Sequence, residues 1–233
     1  MIYEINCFIK KYGHFYDTES TAYFFYSLVK FKHTKKFLEL GTGYGVTAFA
    51  VAQAMKENNE GSVTSYDNGM HHLSQDKSPT EYKYFIEKKI KEFNLKDHFK
   101  FKLEDIGFNN IECTNIDILF SDFYRSPAYI QDLMNFFLLN CNSYSSLFID
   151  SLNCDWSSYA YLNNMIELFN HKKIPHIFKK TLSKESYNKI KEFVEVTKFT
   201  KIDMRKKHTD KMQNGITWIK CEPYNVSPEP LII

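Results

Sequence analysis

The sequence predicts an α/β fold built on a doubly wound, mostly parallel sheet of seven strands whose last strand runs antiparallel. Three observations predict it. Short apolar runs alternate with amphipathic stretches along the chain, as in a repeated strand–helix unit. Three of only eight glycines stand at alternate positions, Gly41, Gly43 and Gly45, between an apolar run and an Ala-rich stretch. The 233 residues, 43% hydrophobic and 25% charged, suffice for one large domain with its own core. That composition sets aside disordered, collagen-like and coiled-coil chains.

Taken in order, Thr18 to Lys30 follows two residues able to cap a helix, Asp17 and Thr18, and reads as a leading helix. Lys36 to Leu40 is a strand, Val46 to Asn58 an Ala-rich helix, Val63 to Tyr66 a second strand and Thr80 to Phe93 a charged amphipathic helix. Phe99 to Leu103 and Ile116 to Phe120 make the third and fourth strands. Pro127 then opens a helix over Ala128 to Leu139, and Ser146 to Ile149 is the fifth strand. A long helix near Tyr159 to Phe169 and another over Lys184 to Val196 lead to two alternating segments. Those segments, around Thr200, Ile202, Met204 and around Ile216, Trp218, Lys220, read as closing strands paired antiparallel, with Asn214-Gly215 as a turn before the last. No internal repeat divides the chain. One domain is expected, with a helical cap over 1–34, a ligand-binding half over 35–150 and a second half with the closing strands over 151–233.

Charge and cysteines bound the function. The net charge is only +2. Residues 171–220 hold fourteen Lys/Arg against five Asp/Glu, so a basic C-terminal segment sits on an acidic body. Nearly all of that charge is lysine, arginine occurring only at Arg125 and Arg205, and guanine reading favours arginine. The segment therefore reads as a solvated face rather than a nucleic-acid surface. Five widely spaced cysteines with no CxxC pair point to a reducing compartment. The first residues, through Glu4, form no apolar leader, and no apolar run approaches the roughly 20 residues of a membrane span. A cytoplasmic protein without a membrane partner is expected.

The segment Glu39-Leu40-Gly41-Thr42-Gly43-Tyr44-Gly45 is the sharpest feature. Glycines at a strand-to-helix turn admit unusual backbone angles and let a ligand approach the main chain at a helix N-terminus. A dinucleotide fingerprint would need its third glycine where Val46 stands, and no Lys-Ser/Thr follows to make a phosphate loop. The pattern acid-x-Gly-x-Gly-x-Gly instead resembles motif I of the class I S-adenosylmethionine-dependent methyltransferases, matched by Glu39, Gly41, Gly43 and Gly45. The resemblance covers about residues 18–150 and implies a Rossmann-like sheet, a loop wrapping the methionine part of the cofactor, and contacts from Thr42 and Tyr44 within that loop.

Two more acids fall where that family would place them. Asp67 ends the second strand, 22 residues beyond Gly45. A carboxylate there can accept both ribose hydroxyls, with Asn68 beside it. Asp105, in Leu103-Glu104-Asp105-Ile106, resembles the acceptor for the adenine amino group, with Glu104 as competitor and Ile106 against the ring.

Chemistry is expected outside the carboxyl ends of the fourth and fifth strands, at Asp122 and Asp150. Ser121-Asp122-Phe123-Tyr124 stands where nucleic-acid amino-methylating relatives carry a Pro-Pro pair, and both prolines are missing. Asp122 with Asp150 also looks like the carboxylate arrangement of the divalent-metal-dependent catechol-type O-methyltransferases, although Ser151 follows Asp150 where an Asn is expected and Asn153 comes two further on. Either a divalent cation bridges the two acids, or one acid takes a raised pKa and handles the proton. The departures favour the metal-free version, with Asp122 near both cofactor and acceptor and Tyr124 beside it. His71 and His72 lie in a polar loop from which His72 could act as general base, and His14 belongs to a segment able to cap the acceptor. The expected function is methyl transfer from S-adenosylmethionine to an oxygen or nitrogen of a small molecule. The alternatives are an RNA or protein methyltransferase docking through 171–220, or a non-catalytic cofactor-binding regulator.

Overall fold

A computed structural model describes residues 2–13, 18–70, 78–205 and 215–224. Two helices open the chain, α1 (Ile2–Tyr12) and α2 (Thr18–Lys32). The βα alternation follows as β1 (Lys36–Leu40), α3 (Val46–Asn58), β2 (Ser62–Asp67), α4 (Pro79–Glu92), β3 (Phe99–Leu103), β4 (Ile116–Ser121), α5 (Pro127–Asn140) and β5 (Cys141–Asp150). A short 3-10 turn at Leu152–Cys154, helices α6 (Trp156–Asn170), α7 (His176–Thr181) and α8 (Lys184–Val196), and strands β6 (Thr197–Arg205) and β7 (Gly215–Pro223) complete it.

The seven strands form one sheet in the order β3-β2-β1-β4-β5-β7-β6. Pairing is parallel from β3 through β5 and antiparallel on both sides of β7, as predicted. Strand order runs outward from β1 to β3 on one side and from β4 to β5 on the other. The crevice where such a sheet binds ligands therefore lies beyond the carboxyl ends of β1 and β4.

Each face of the sheet buries its own apolar layer. Under α1 to α4, Phe25 packs its ring against Phe37 of β1, Phe120 of β4 and Phe148 of β5, at centroid distances of 5.3, 4.8 and 4.9 Å. Under α5, α6, α7 and α8, the core is Leu38, Leu119, Leu147, Ile149 and Ile219 with Met134, Met165 and Phe178. Helix α3 is buried on every side from Val46 to Met55. Its alanines allow close packing between sheet and α2, which explains the Ala-rich composition. Much of the aromatic content is thus core, as the composition suggested.

The helix ends follow local chemistry. Ser78 and Glu81 close a reciprocal capping box on α4 with Pro79 in the first turn, and Ser126 caps α5 ahead of Pro127. Two helices were not anticipated, and one predicted strand starts earlier than expected. Helix α1 carries Ile5, Phe8 and Ile9 at helical spacing and buries all three, a signal too short to stand out. Helix α7 is six residues long. Strand β5 begins at Cys141 rather than Ser146, directly from α5, and polar Asn142 to Ser145 hide it. No described helix is long and apolar enough to cross a membrane, and all five cysteines are free thiols.

Candidate active site

Beyond Leu40 the chain turns through Gly41–Gly45 into α3. The Gly41 amide donates to the Tyr66 carbonyl at 2.9 Å, and the Asp122 amide donates to the Leu40 carbonyl at 2.8 Å. Those two bonds stitch the loop between β2 and the segment after β4. Gly41 has φ +96°, and a Cβ there would stand 2.1 Å from the Asp122 carbonyl oxygen. Only glycine allows that approach. Gly43, φ +51°, has nothing within 4 Å of a Cβ position, so the crest of the loop is open for a ligand.

Asp67 holds this loop. Its Oδ2 accepts the amides of Thr42 at 2.8 Å and Gly43 at 3.1 Å, and its Oδ1 accepts that of Gly69 at 2.7 Å. A carboxylate has about four lone-pair sites. Three amides leave room for one further bond, so bidentate acceptance of two ribose hydroxyls requires the Gly69 turn to open. Asn68 accepts from the Met70 amide at 3.0 Å. The Tyr82 hydroxyl, from α4, donates to the Gly43 carbonyl at 2.7 Å, and the Tyr12 ring at the end of α1 lies 4.9 Å from that of Tyr44. Neither Tyr82 nor Tyr12 was singled out from the sequence, because their sequence separations from the loop carry no motif.

Glu39 lies one strand inward and is 1% exposed. Ser65 donates its hydroxyl to the Glu39 carboxyl, and Thr42 Oγ1 stands 2.6 Å from Ser65 Oγ. Burial pushes Glu39 well above the usual carboxylate range, against the pull of the Ser65 hydrogen bond and with support from nearby Asp122 and Asp67. The motif acid is therefore a buried buttress beneath the loop, its carboxyl held toward the protonated form by burial. At the end of β3, the Glu104 amide donates to the Asp67 carbonyl at 2.9 Å, which fixes the chain leading to Asp105. Asp105 is exposed and Ile106 half-buried.

On the other side of the crevice, Asp122 and Asp150 are brought together by a residue that sequence reasoning passed over. Arg125 Nη2 donates to Asp122 Oδ1 at 3.1 Å and reaches Asp150 Oδ2 at 3.5 Å, while its Nε donates to the Asp150 carbonyl at 2.8 Å. Ser151 donates to Asp150 Oδ2 at 2.6 Å. The expected choice between a bridging cation and a shared proton thus has a third solution, a guanidinium between the acids. Its one available signal was rarity, as one of two arginines three positions after Asp122. Among the described residues no three His, Cys, Asp or Glu side chains are grouped to hold a metal ion. Tyr124 is 63% exposed beside this cluster, Ser121 Oγ is buried against the Tyr129 hydroxyl at 2.9 Å, and Asn153 is exposed. His14, His71, His72 and Asn214 lie outside the described residues.

Among the described residues of the basic C-terminal segment, the paired lysines do not reach these acids. Lys172 donates to the carbonyls of Val194 and Thr197, and Lys189 to that of Leu139, at the amino edge of the sheet. Lys201 and Lys220 pair with Asp203 and Glu222.

No protein-family model matches the sequence, and no curated protein does. Solved structures match in shape. The O-methyltransferase TomG from Streptomyces achromogenes, in complex with S-adenosylmethionine (SAM), superposes with a TM-score of 0.52 at 12% identity over 88% of this chain and 80% of that one. The Bacillus cereus O-methyltransferase in complex with S-adenosylhomocysteine (SAH) gives 0.50 at 13% over 86% and 80%. The SAH-bound methyltransferase PaMTH1 of Podospora anserina gives 0.51 at 13% over 86% and 77%. The chain has the class I SAM-dependent methyltransferase fold. At such identities the likeness is one of fold, and it accounts for the sheet order and for the antiparallel β7.

Proposed function

We propose that this chain is a SAM-dependent methyltransferase acting on an oxygen or nitrogen atom of a small molecule. The observation that carries the reading is the open glycine loop, held by the Asp67 carboxylate at the point where strand order reverses. Two features support SAM over a dinucleotide. Val46 breaks the dinucleotide spacing, and the crevice carries Asp67 on one side and Asp122 and Asp150 with a single arginine on the other, an acidic lining that opposes a pyrophosphate and suits a cationic sulfonium.

In this reading the backbone of Gly41, Thr42, Gly43, Tyr44 and Gly45 receives the methionine portion, with Glu39 beneath. Asp67 and Asn68 receive the ribose, and Asp105 and Ile106 border the adenine. When bound, the cofactor supplies an activated methyl group on a sulfonium. The protein's part is to hold the acceptor in line, roughly 3 Å from that carbon, and to take up its proton. Asp122, the more exposed of the paired acids, is the group for that proton, with Asp150, Tyr124 and His72 as further candidates around the acceptor. Residues 35–150 form the cofactor half and 151–233 the acceptor side. Lys172 and Lys189, held on carbonyls at the amino edge, are withdrawn from any docking face on 171–220.

Melting curves test this. At a hundredfold excess over Kd, SAM or SAH is expected to add about 2.7 kcal/mol, or on the order of 5 to 10 °C, and NAD nothing. Asp67→Ala should weaken SAH binding by roughly 1.5 to 3 kcal/mol in calorimetry on the folded variant. A shift with NAD and none with either sulfur nucleoside would sink the reading.

A further inference from the structure

Asp150 and Asp122 pose an electrostatic problem that the chain answers in an unexpected way. The Asp150 side chain is 3% exposed and that of Asp122 43%, and both lie against the guanidinium of one Arg125 side chain that is itself 21% exposed. An ionised carboxylate that deep requires a counter-charge, and a second carboxylate nearby raises the requirement. A divalent cation with oxygen ligands is one answer, and it is the one the catechol-type resemblance implies.

The residues present do not fit that answer. Arg125 N–H groups already engage Asp122 Oδ1, Asp150 Oδ2 and the Asp150 main-chain carbonyl. Two of the four carboxylate oxygens on which a bridging ion would draw thus already receive the guanidinium. The Ser151 hydroxyl donates to Asp150 Oδ2 as well, so that oxygen receives two donors from the protein. The planar fork of arginine suits this task, because Nε and Nη2 reach two different groups of one residue at once while Nη2 also reaches Asp122.

We propose that Arg125 stands in place of a bridging divalent cation, holding the Asp122 and Asp150 carboxylates side by side without metal. Arg125 is then a positioning residue. It acts on the acceptor through Asp122, whose carboxylate it orients toward the crevice. The inference rests on the proposed function only for what lies opposite Asp122.

Titration of the full chain with Mn²⁺, followed by the loss of the free-ion electron paramagnetic resonance signal, tests it without cofactor or acceptor. Wild type is expected to show no saturable site that Asp122→Asn removes. Arg125→Met uncovers both acids and should bind Mn²⁺ at least about tenfold more tightly than wild type, a gain that adding Asp122→Asn abolishes. Arg125→Lys keeps the charge and should stay near wild type. A wild-type Mn²⁺ site lost in Asp122→Asn would overturn the proposal, as would a folded Arg125→Met with no gain. Should Arg125→Met fail to fold, the wild-type titration with its Asp122→Asn control still decides. SAH binding measured in parallel separates the two readings: its absence strikes the methyltransferase assignment and leaves the Mn²⁺ comparison intact.

Discussion

The two sides of the crevice are built by different means. On the β1–β3 side the surface is main chain: a glycine loop whose amides are gathered by Asp67. On the β4–β5 side it is side chain: a guanidinium between two carboxylates. Backbone surfaces need particular residues at fixed local spacing, because only glycine reaches certain backbone angles and approaches. Side-chain clusters need only that three residues meet in space. The first kind of site writes itself into consecutive positions and the second does not.

The largest expected effect tests how tightly the two sides are joined. Gly41→Ala puts a Cβ 2.1 Å from the Asp122 carbonyl oxygen at φ +96°. Left-handed strain and forced displacement together should cost about 3 to 5 kcal/mol, on the order of 10 °C in melting temperature. Gly43→Ala has open space around its Cβ position and should cost about 1 kcal/mol. Equal losses for the two would show that the loop does not bear on Asp122 at all.

The same contrast sets how much was legible. The strand–helix alternation and the loop from Glu39 to Gly45 followed from apolar periodicity and glycine spacing, both local properties, and the antiparallel close from the family resemblance; the order of strands in the sheet is seen only in the structure. Asp67 was found for its position at a strand end, but its three amide partners were not, since Thr42 and Gly69 lie 25 residues before and two residues after it. Asp122 and Asp150 were found as strand ends. Arg125 was not, because the bond from Arg125 to Asp150 spans 25 residues and depends on how β4 and β5 register. Helices α1 and α7 escaped because each spans few turns, and β5 began early because its first residues are polar.

Two buried acids extend the comparison at intermediate size. Asp150 has a guanidinium partner and Glu39 a hydroxyl, and burial pushes Glu39 well above the usual carboxylate range. A carboxyl whose pKa is raised on folding takes up a proton as the chain folds. Its contribution is full at low pH and is lost as pH rises through the folded pKa. Glu39→Gln keeps an acceptor for Ser65 and has no such slope. Its stability relative to wild type should therefore improve between pH 5 and pH 8, by on the order of 1 kcal/mol in denaturant titrations. Parallel curves for the two proteins across that range would mean that Glu39 is ionised in the fold and that its charge, not only its shape, serves the loop.

The smallest expected effect asks whether the main-chain side is as independent of side chains as its motif suggests. Tyr82 is 3% exposed, sits on α4 far from the motif, and donates its hydroxyl to the Gly43 carbonyl at 2.7 Å. Its ring also stacks edge-on against Phe101 of β3, 5.5 Å between centroids, so the aromatic body has its own reason to be there. Tyr82→Phe keeps the ring and removes only the donor. One neutral hydrogen bond is worth about 1 kcal/mol, so a loss of that size in stability is expected. SAH affinity should fall by roughly fivefold, because Gly43 is the loop's crest and its carbonyl direction fixes the amides that follow. If SAH affinity and melting temperature both match wild type, glycine spacing and Asp67 alone set the loop, and the main-chain side needs no help from α4.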